Sequence, residues 1–284
     1  AIASAKLQHP SELGCRTVVG IIENFIACNS VTEAELTEVN NLGFNGKIAE
    51  YYESQTLSEV ILARRFFQVH PPQTPEDQFV LASLLHILHG NRPYALSRRS
   101  HPLTPYKPTG AYEYRPLISR LLAKIQRGLD ENLPADFRPG KIFFQDATKW
   151  WPKEIDQLDA VITSPPFFDS TRFYLANWLR LWFSGWSATD FEVSPSVFVD
   201  EQQKSSFDVY IPILRQAKER LKSNGVFVLH LGKSVKCDMA VHLRQLGKRW
   251  FRSADLYDES VAHCESHGIR DKGTVTFHQY LVLY

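Results

Sequence analysis

The chain has 284 residues, enough for one large domain or for a domain with a sizeable insertion. Its formal net charge of +1 excludes a strong overall positive field, so any contact with nucleic acid has to come from local basic patches. No apolar run is long enough to cross a bilayer, and the four scattered cysteines form no CxxC pair, so we expect a cytoplasmic protein without disulfides or zinc.

The first thirty residues are predicted to contain a helix and a buried strand. Residues 1–8 are rich in alanine and have the composition of a helix end. Residues 16–22 (RTVVGII) form a continuous run with several β-branched residues, which is typical of a buried parallel strand. We expect this strand to end at Glu23 and Asn24 and a helical segment, 25–30, to follow.

The middle of the chain, residues 31–139, has a mainly helical pattern. Its clearest amphipathic segments are 57–62 and 79–88, and 114–129 also has a helical pattern. Proline-rich loops lie between them. An insertion of this length at the ligand edge of a sheet is a natural place for target recognition, and we predict that role for it.

After Pro139-Gly140 the pattern alternates between strands and helices. The predicted strands are 141–145, 158–163, 225–231, 251–257 and 278–284. The predicted helices are 171–186, 207–221 and 239–250, the second of them stopping at Asn224-Gly225. Such alternation implies an open, largely parallel α/β sheet.

Ligands of such sheets bind outside the carboxyl ends of the strands, and three predicted strand ends carry suitable residues. Glu23 could accept hydrogen bonds from ribose hydroxyls. Asp146, followed by the small Ala147, could hold an adenine edge through its side chain and the adjacent backbone. Taken singly each is a weak signal, because a strand-terminal acid is more often a helix cap or loop residue. The third strand end is Ser164.

Ser164-Pro165-Pro166-Phe167 directly follows the predicted strand 158–163. Two consecutive prolines fix the backbone φ and remove two N–H donors, which leaves carbonyl groups free at the strand end. An exocyclic base amine is a poor nucleophile because its lone pair is delocalised into the ring. Hydrogen bonds from its protons to Ser164 Oγ and the Pro165 carbonyl would aim that lone pair at a methyl donor. Phe167 would stack on a base flipped from its duplex.

Two other interpretations of this segment are open. A bare Pro-Pro pair is more often a structural turn, but its position after a buried strand, downstream of two further strand ends, favours function. Ser164 could also be a hydrolase nucleophile. No Gly-x-Ser-x-Gly elbow surrounds it and a proline follows it, which argues against hydrolase chemistry.

Thr163-Ser164-Pro165-Pro166-Phe167 resembles the catalytic motif of amino-methyltransferases that act on DNA, in which Asp, Asn or Ser precedes Pro-Pro and an aromatic residue. The Ser form is typical of cytosine-N4 enzymes, whereas adenine-N6 enzymes usually carry Asp or Asn. The resemblance covers residues 1–30 and 140–284, about two-thirds of the chain. It implies a catalytic domain with a Rossmann-like sheet, mostly parallel with the last strand antiparallel, interrupted by the helical insertion 31–139.

The resemblance also implies the cofactor, S-adenosylmethionine, and no metal. Glu23 corresponds to the acid that binds the ribose, and Asn24 is predicted to bind beside it. Asp146 and Ala147 correspond to the end of the strand that holds the adenine. Thr163, the last residue before the catalytic motif, completes the predicted cofactor-binding set.

One family feature is absent from the printed sequence. The Gly-rich loop that wraps the methionine part of the cofactor should precede the helix at the start of the chain, yet no Gly-x-Gly occurs. The simplest expectation is that the first strand and this loop are missing from the N-terminus. The alternative is that another segment replaces the loop.

Basic residues interleaved with tyrosines form a predicted nucleic-acid surface within the insertion. The alternative is a solvated loop with a few basic residues. Arg172, close behind the catalytic motif, could contact a phosphate or be structural. The complete predicted set is Arg92, Arg98, Arg99, Lys107 and Arg172.

The sequence therefore predicts methyl transfer to a flipped base in DNA, with cytosine N4 as the first choice. The same motif serves adenine-N6 methylation of DNA and guanine-N2 methylation of RNA, and both remain alternatives. A catalytically silent nucleic-acid-binding remnant is the alternative from another class. The resemblance also suggests a partner, a cognate restriction endonuclease.

Overall fold

A computed structural model of the chain describes residues 1–44, 46–88, 111–131, 134–168, 173–261 and 275–284. The chain divides into two compact units. The first contains the described residues up to Ile142 together with Tyr174–Thr189, and the second contains those from Phe143 to Phe173 together with Asp190–Tyr284. Residues 1–30 thus fall in the same unit as most of the insertion. No helix in these described ranges is both long and apolar enough to cross a membrane.

The first unit is helical. Its helices are α1 (Ile2–Leu7), α2 (Glu12–Cys28), α3 (Glu33–Asn41), α4 (Ser54–Val69), α5 (Pro75–Ile87) and α6 (Leu117–Leu129), with a 3-10 turn at Ile48–Tyr51. A single long helix was predicted for 171–186, but the described part of this range contains two short helices, α7 (Phe173–Ala176) and α8 (Trp178–Phe183). Only Phe173, the first residue of α7, belongs to the second unit. Helix α2 packs against α4, α5 and α6, which places the core of this unit around its buried side.

The segment 16–22 is helical, so the prediction of a buried strand there is wrong. Cys15, Val19 and Ile22 are each at most 2% exposed, and their spacing is that of one helix face, whereas Ile21 is 52% exposed. Ser11 begins the helix by accepting a hydrogen bond from the Gly14 N–H. The helical period of the apolar residues therefore outweighed the strand preference of the individual side chains.

Gly20→Ala is expected to stabilise the protein by about 0.5–1 kcal/mol, because glycine inside a helix costs conformational entropy relative to alanine. A Cβ at Gly20 meets no atom within 4 Å. Urea denaturation measures the effect. Gly14→Ala in the same helix is the matched control, since a Cβ there would lie 2.6 Å from Glu76 Cγ, and it should not stabilise. A lower stability for the Gly20 variant would contradict the helix.

The second unit contains an open mixed sheet. Its four described strands are β1 (Leu158–Thr163), β2 (Leu221–Ser234), β3 (Ala254–Ser260) and β4 (Val275–Leu283), in the order β1-β2-β4-β3. Strands β1 and β2 are parallel, and β4 is antiparallel to both of its neighbours. The α/β class and the antiparallel last strand are thereby confirmed. The prediction of a mostly parallel sheet is wrong for the described strands, because only one of their three pairings, β1 with β2, is parallel. Helices of this unit are α10 (Val199–Gln202), α11 (Ile211–Arg220) and α12 (Met239–Gly247), and α9 (Ala188–Val193) lies where the chain passes between units.

Strand β2 begins earlier than predicted. Helix α11 ends at Arg220, and the chain passes directly into the strand at Leu221. Asn224-Gly225, predicted to stop the helix, lies inside β2, where Gly225 closely approaches the backbone of β1. A Cβ at Gly225 would lie 2.8 Å from the Leu158 carbonyl oxygen, so glycine serves strand packing at this position.

Residues 141–145 form no strand, contrary to the prediction. Among the described strands, β1 pairs only with β2, and the segment 141–145 forms a β-ladder with neither of them. Phe144 is fully exposed as a result. A strand needs a partner as well as an apolar composition, and composition alone does not supply one.

The two faces of the sheet differ. Phe227, Leu229 and Leu231 of β2 are buried in the core of this unit, which includes Leu214 of α11 and Leu243 of α12. Because side chains alternate along a strand, Val228 and His230 lie on the opposite face. On that face Ile162 of β1, which pairs with Val228, is 75% exposed.

Candidate functional site

The Ser-Pro-Pro-Phe segment begins at the carboxyl end of β1. Thr163 is the last residue of β1 and pairs with Leu229 of the parallel strand β2. Ser164 follows and is exposed, whereas the two prolines and Phe167 are half-buried. The segment therefore presents a hydroxyl group at the strand end, where ligands of parallel sheets bind.

Ser164 is held against a histidine that the sequence analysis did not select. Ser164 Oγ lies 3.2 Å from His230 Nδ1, within hydrogen-bonding distance. His230 stacks on Tyr280 of β4, with ring centroids 4.9 Å apart, and its ring also makes edge contacts with His278 and Phe167. One sequence signal could have identified it, because His230 is the only ionisable residue in the apolar run GVFVLHL.

Burial lowers the pKa of His230 below its usual range, and the neighbouring His278 adds to this effect. Glu259 of β3 acts in the opposite direction. The imidazole is accordingly neutral at neutral pH, and a neutral imidazole has one nitrogen that can accept a proton. The His230 Nε2 atom is buried and has no hydrogen-bond partner among the described residues.

Phe167 lies over Gly232 of β2. A Cβ at Gly232 would come within 2.6 Å of Phe167 Cδ2 and Cγ, so a larger residue would push the ring away. The ring centroid is 5.5 Å from that of His230 and 5.8 Å from that of His278. Glycine at 232 thus creates the space in which the aromatic ring of the motif packs.

A second layer of polar contacts fixes the backbone of the motif. Buried Gln203 donates from Nε2 to the Pro166 carbonyl at 3.1 Å, and the Tyr210 hydroxyl donates to Gln203 Oε1 at 2.8 Å. The Phe168 N–H points to Met239 Sδ at 3.3 Å. No donor in the described part of the chain reaches the Pro165 carbonyl. Ser164 Oγ and this carbonyl together offer two acceptors at the end of β1.

Asp146 and Ala147 lie beside β1 although they follow no strand. They line a cavity of about 350 Å³ together with Phe143, Ile155, Leu158 and Val161. Asp146 Oδ1 accepts from the N–H and the hydroxyl of Thr148, at 2.8 and 2.7 Å. The cavity is mostly apolar with one carboxylate at its wall, which is suited to a flat heteroaromatic ring with a hydrogen-bond donor.

The structure does not place the remaining predicted site residues near Ser164 or Asp146. Glu23 and Asn24 lie on the exposed side of α2 in the helical unit, so the strand end on which their predicted role depended does not exist. The predicted nucleic-acid contacts, Arg92, Arg98, Arg99, Lys107 and Arg172, lie outside the described residues. Among the described residues, no three His, Cys, Asp or Glu side chains are grouped so that they could bind a metal ion.

Comparisons with protein-family models, with curated proteins and with solved structures found no match. The function of the chain therefore has to be argued from its own residues. The strongest observations are the two acceptors at the end of β1, the aromatic ring held over Gly232, and the cavity beside Asp146.

Proposed function

We propose that the chain is an S-adenosylmethionine-dependent methyltransferase with a Rossmann-like catalytic sheet, and that it methylates an exocyclic amine of a flipped base in DNA, cytosine N4 in the first place. The observation that carries the proposal is the pair of acceptors at Ser164 and Pro165 beside the half-buried ring of Phe167. A base amine has two N–H groups, which match two acceptors. An aromatic ring beside them matches the face of the base.

The residues around Asp146 fit the adenine part of the cofactor. The cavity is mostly apolar, has a volume of about 350 Å³, and carries a carboxylate whose Oδ2 is not used by Thr148. When bound, the cofactor would supply an electrophilic methyl group. The chain's own residues would bind the adenine and orient the target amine.

Hydrolase chemistry at Ser164 is the competing function, because a serine beside a histidine is the arrangement of an activated nucleophile. Two features disfavour it. The far nitrogen of His230 has no acidic partner among the described residues to orient the ring. The residue after Ser164 is proline, which lacks the N–H that commonly contributes to an oxyanion hole at this position.

The test is to express the protein from its complete coding sequence and incubate it with S-adenosylmethionine and unmethylated DNA or RNA. The nucleic acid is then digested to nucleosides and analysed by mass spectrometry. We expect N4-methylcytosine from DNA. N6-methyladenine, or N2-methylguanine from RNA, would reassign the substrate, and no methylated nucleoside from either would refute the proposal. As a control, DNA whose cytosines already carry the N4-methyl group should accept no further methyl groups.

A further inference from the structure

His230 contacts the proposed catalytic serine, and the methyl transfer described above assigns it no role. Its Nδ1 contacts Ser164 Oγ at 3.2 Å, and three aromatic rings, Phe167, His278 and Tyr280, surround its imidazole. A histidine that served only to pack Phe167 would not need a nitrogen directed at the serine hydroxyl.

We infer that His230 is a positioning residue that receives, through Ser164, the proton that the target amine loses on methylation. The inference rests on the proposed function. It assigns to the Ser164 hydroxyl a double task, since the hydroxyl accepts from the amine and donates to the histidine.

The bonds and charges of the step balance within this arrangement. The amine nitrogen uses its lone pair to form the bond to the methyl carbon, and the electrons of the broken carbon–sulfur bond stay on sulfur. The nitrogen then carries one proton too many. That proton passes to Ser164 Oγ while the Ser164 hydroxyl proton passes to His230 Nδ1. The resulting imidazolium returns its proton to solvent through Ser164, which is exposed, after the product leaves.

The surroundings of His230 are suited both to the neutral imidazole before the proton transfer and to the imidazolium after it. Before the step, burial and the neighbouring His278 on β4 keep the imidazole neutral, as an acceptor must be. After it, the carboxylate of Glu259 on β3 favours the protonated ring. Tyr280 of β4, stacked on the ring, donates its hydroxyl to the same carboxylate at 3.1 Å. The orientation of the imidazole is fixed by this packing rather than by the substrate.

Two substitutions separate proton transfer from packing. His230→Phe keeps an aromatic ring beside Phe167 and removes the nitrogen, whereas His230→Asn keeps a hydrogen-bonding group and cannot take up the proton. We expect each to lower kcat for methyl transfer by about 30-fold, less than the full effect of a general base because water can reach the exposed Ser164. His242→Asn is the matched control, since His242 stacks on Phe207.

The pH profile provides a readout that packing alone would not change. The wild-type kcat should fall as the pH drops through the pKa of His230, because the protonated ring cannot accept. The titratable and polar groups that face the His230 ring, and therefore influence this pKa, are His278, Tyr280, Glu259 and Ser164. Both variants should lack this acid limb. A wild-type rate in His230→Phe, or an unchanged acid limb in His230→Asn, would overturn the inference while leaving the proposed function intact.

A measurement without cofactor tests the contact itself. The ring nitrogens of His230 are followed by ¹⁵N NMR in the wild type and in Ser164→Ala, with thermal unfolding as the check on folding. We expect the Nδ1 resonance to shift when the hydroxyl is removed, and an unmoved resonance would overturn the inference. If the wild type methylates no nucleic acid, the proposed function fails and the relay fails with it.

Discussion

Ser164→Ala is expected to lower kcat for methyl transfer by about 1000-fold, at the upper end of the effect of removing one hydrogen-bonding group from a transition-state site. The alanine removes one of the two acceptors that we propose bind the target amine, and it also removes the contact with His230 Nδ1. Binding of S-adenosylmethionine should be unchanged, because the cavity at Asp146 does not include Ser164.

Two measurements check this expectation. Single-turnover kinetics with saturating DNA reports the chemical step, and isothermal titration reports cofactor binding. Ser223→Ala is the matched control, because Ser223 is an exposed serine near the start of β2. Wild-type turnover in Ser164→Ala would remove this serine from the mechanism. A parallel loss of cofactor binding would show instead that the substitution disturbs the sheet.

Gly232→Ala is expected to lower kcat/KM by about 100-fold, corresponding to the upper range for loss of one base-stacking contact. The added Cβ would lie 2.6 Å from two atoms of the Phe167 ring, so the ring has to leave its place between His230 and His278. Overpacking of this kind also costs about 1–3 kcal/mol of stability, so the variant is assayed well below its unfolding midpoint.

A double-mutant cycle with Phe167→Ala distinguishes displacement of the ring from damage to the strand. If Gly232 serves to seat Phe167, the second substitution should add little once the ring is gone, and the two effects will be strongly non-additive. Additive losses would mean that alanine at 232 harms β2 itself. Urea denaturation of all three variants accompanies the kinetics.

The Ser-Pro-Pro-Phe segment of the candidate site was accessible to sequence reasoning because its information is local. β1 has the bounds predicted for it, and Ser164 with its two prolines follows directly. The prolines restrict their own backbone wherever the chain places them. The role of Ser164, in contrast, remains a prediction that the kinetics above will decide.

His230 and Gly232 could not be assigned to the site from the sequence, because their contacts join distant parts of the chain. Ser164 and His230 are 66 residues apart, and only the pairing of β1 with β2 brings them together. Phe167 meets Gly232 for the same reason. Register across a sheet depends on the packing of both faces, which no single strand encodes.

The two wrong strands have a common physical cause. In segments 16–22 and 141–145 the side chains favour a strand, but a strand exists only where another supplies hydrogen bonds. The first segment instead satisfied its backbone within α2 and buried Val19 and Ile22 on one face. The second pairs with none of the described strands, although it lies near β1.

The sequence by itself determined the α/β class, β1, and the order of serine, prolines and phenylalanine at its end, because these depend on composition, period and backbone restriction over short stretches. Only the tertiary structure decided which residues surround Ser164. It placed His230 at its hydroxyl and Gly232 beneath Phe167, and it moved Glu23 from a strand end to an exposed helix side. These are long-range contacts, and their formation depends on how strands and helices pack against one another.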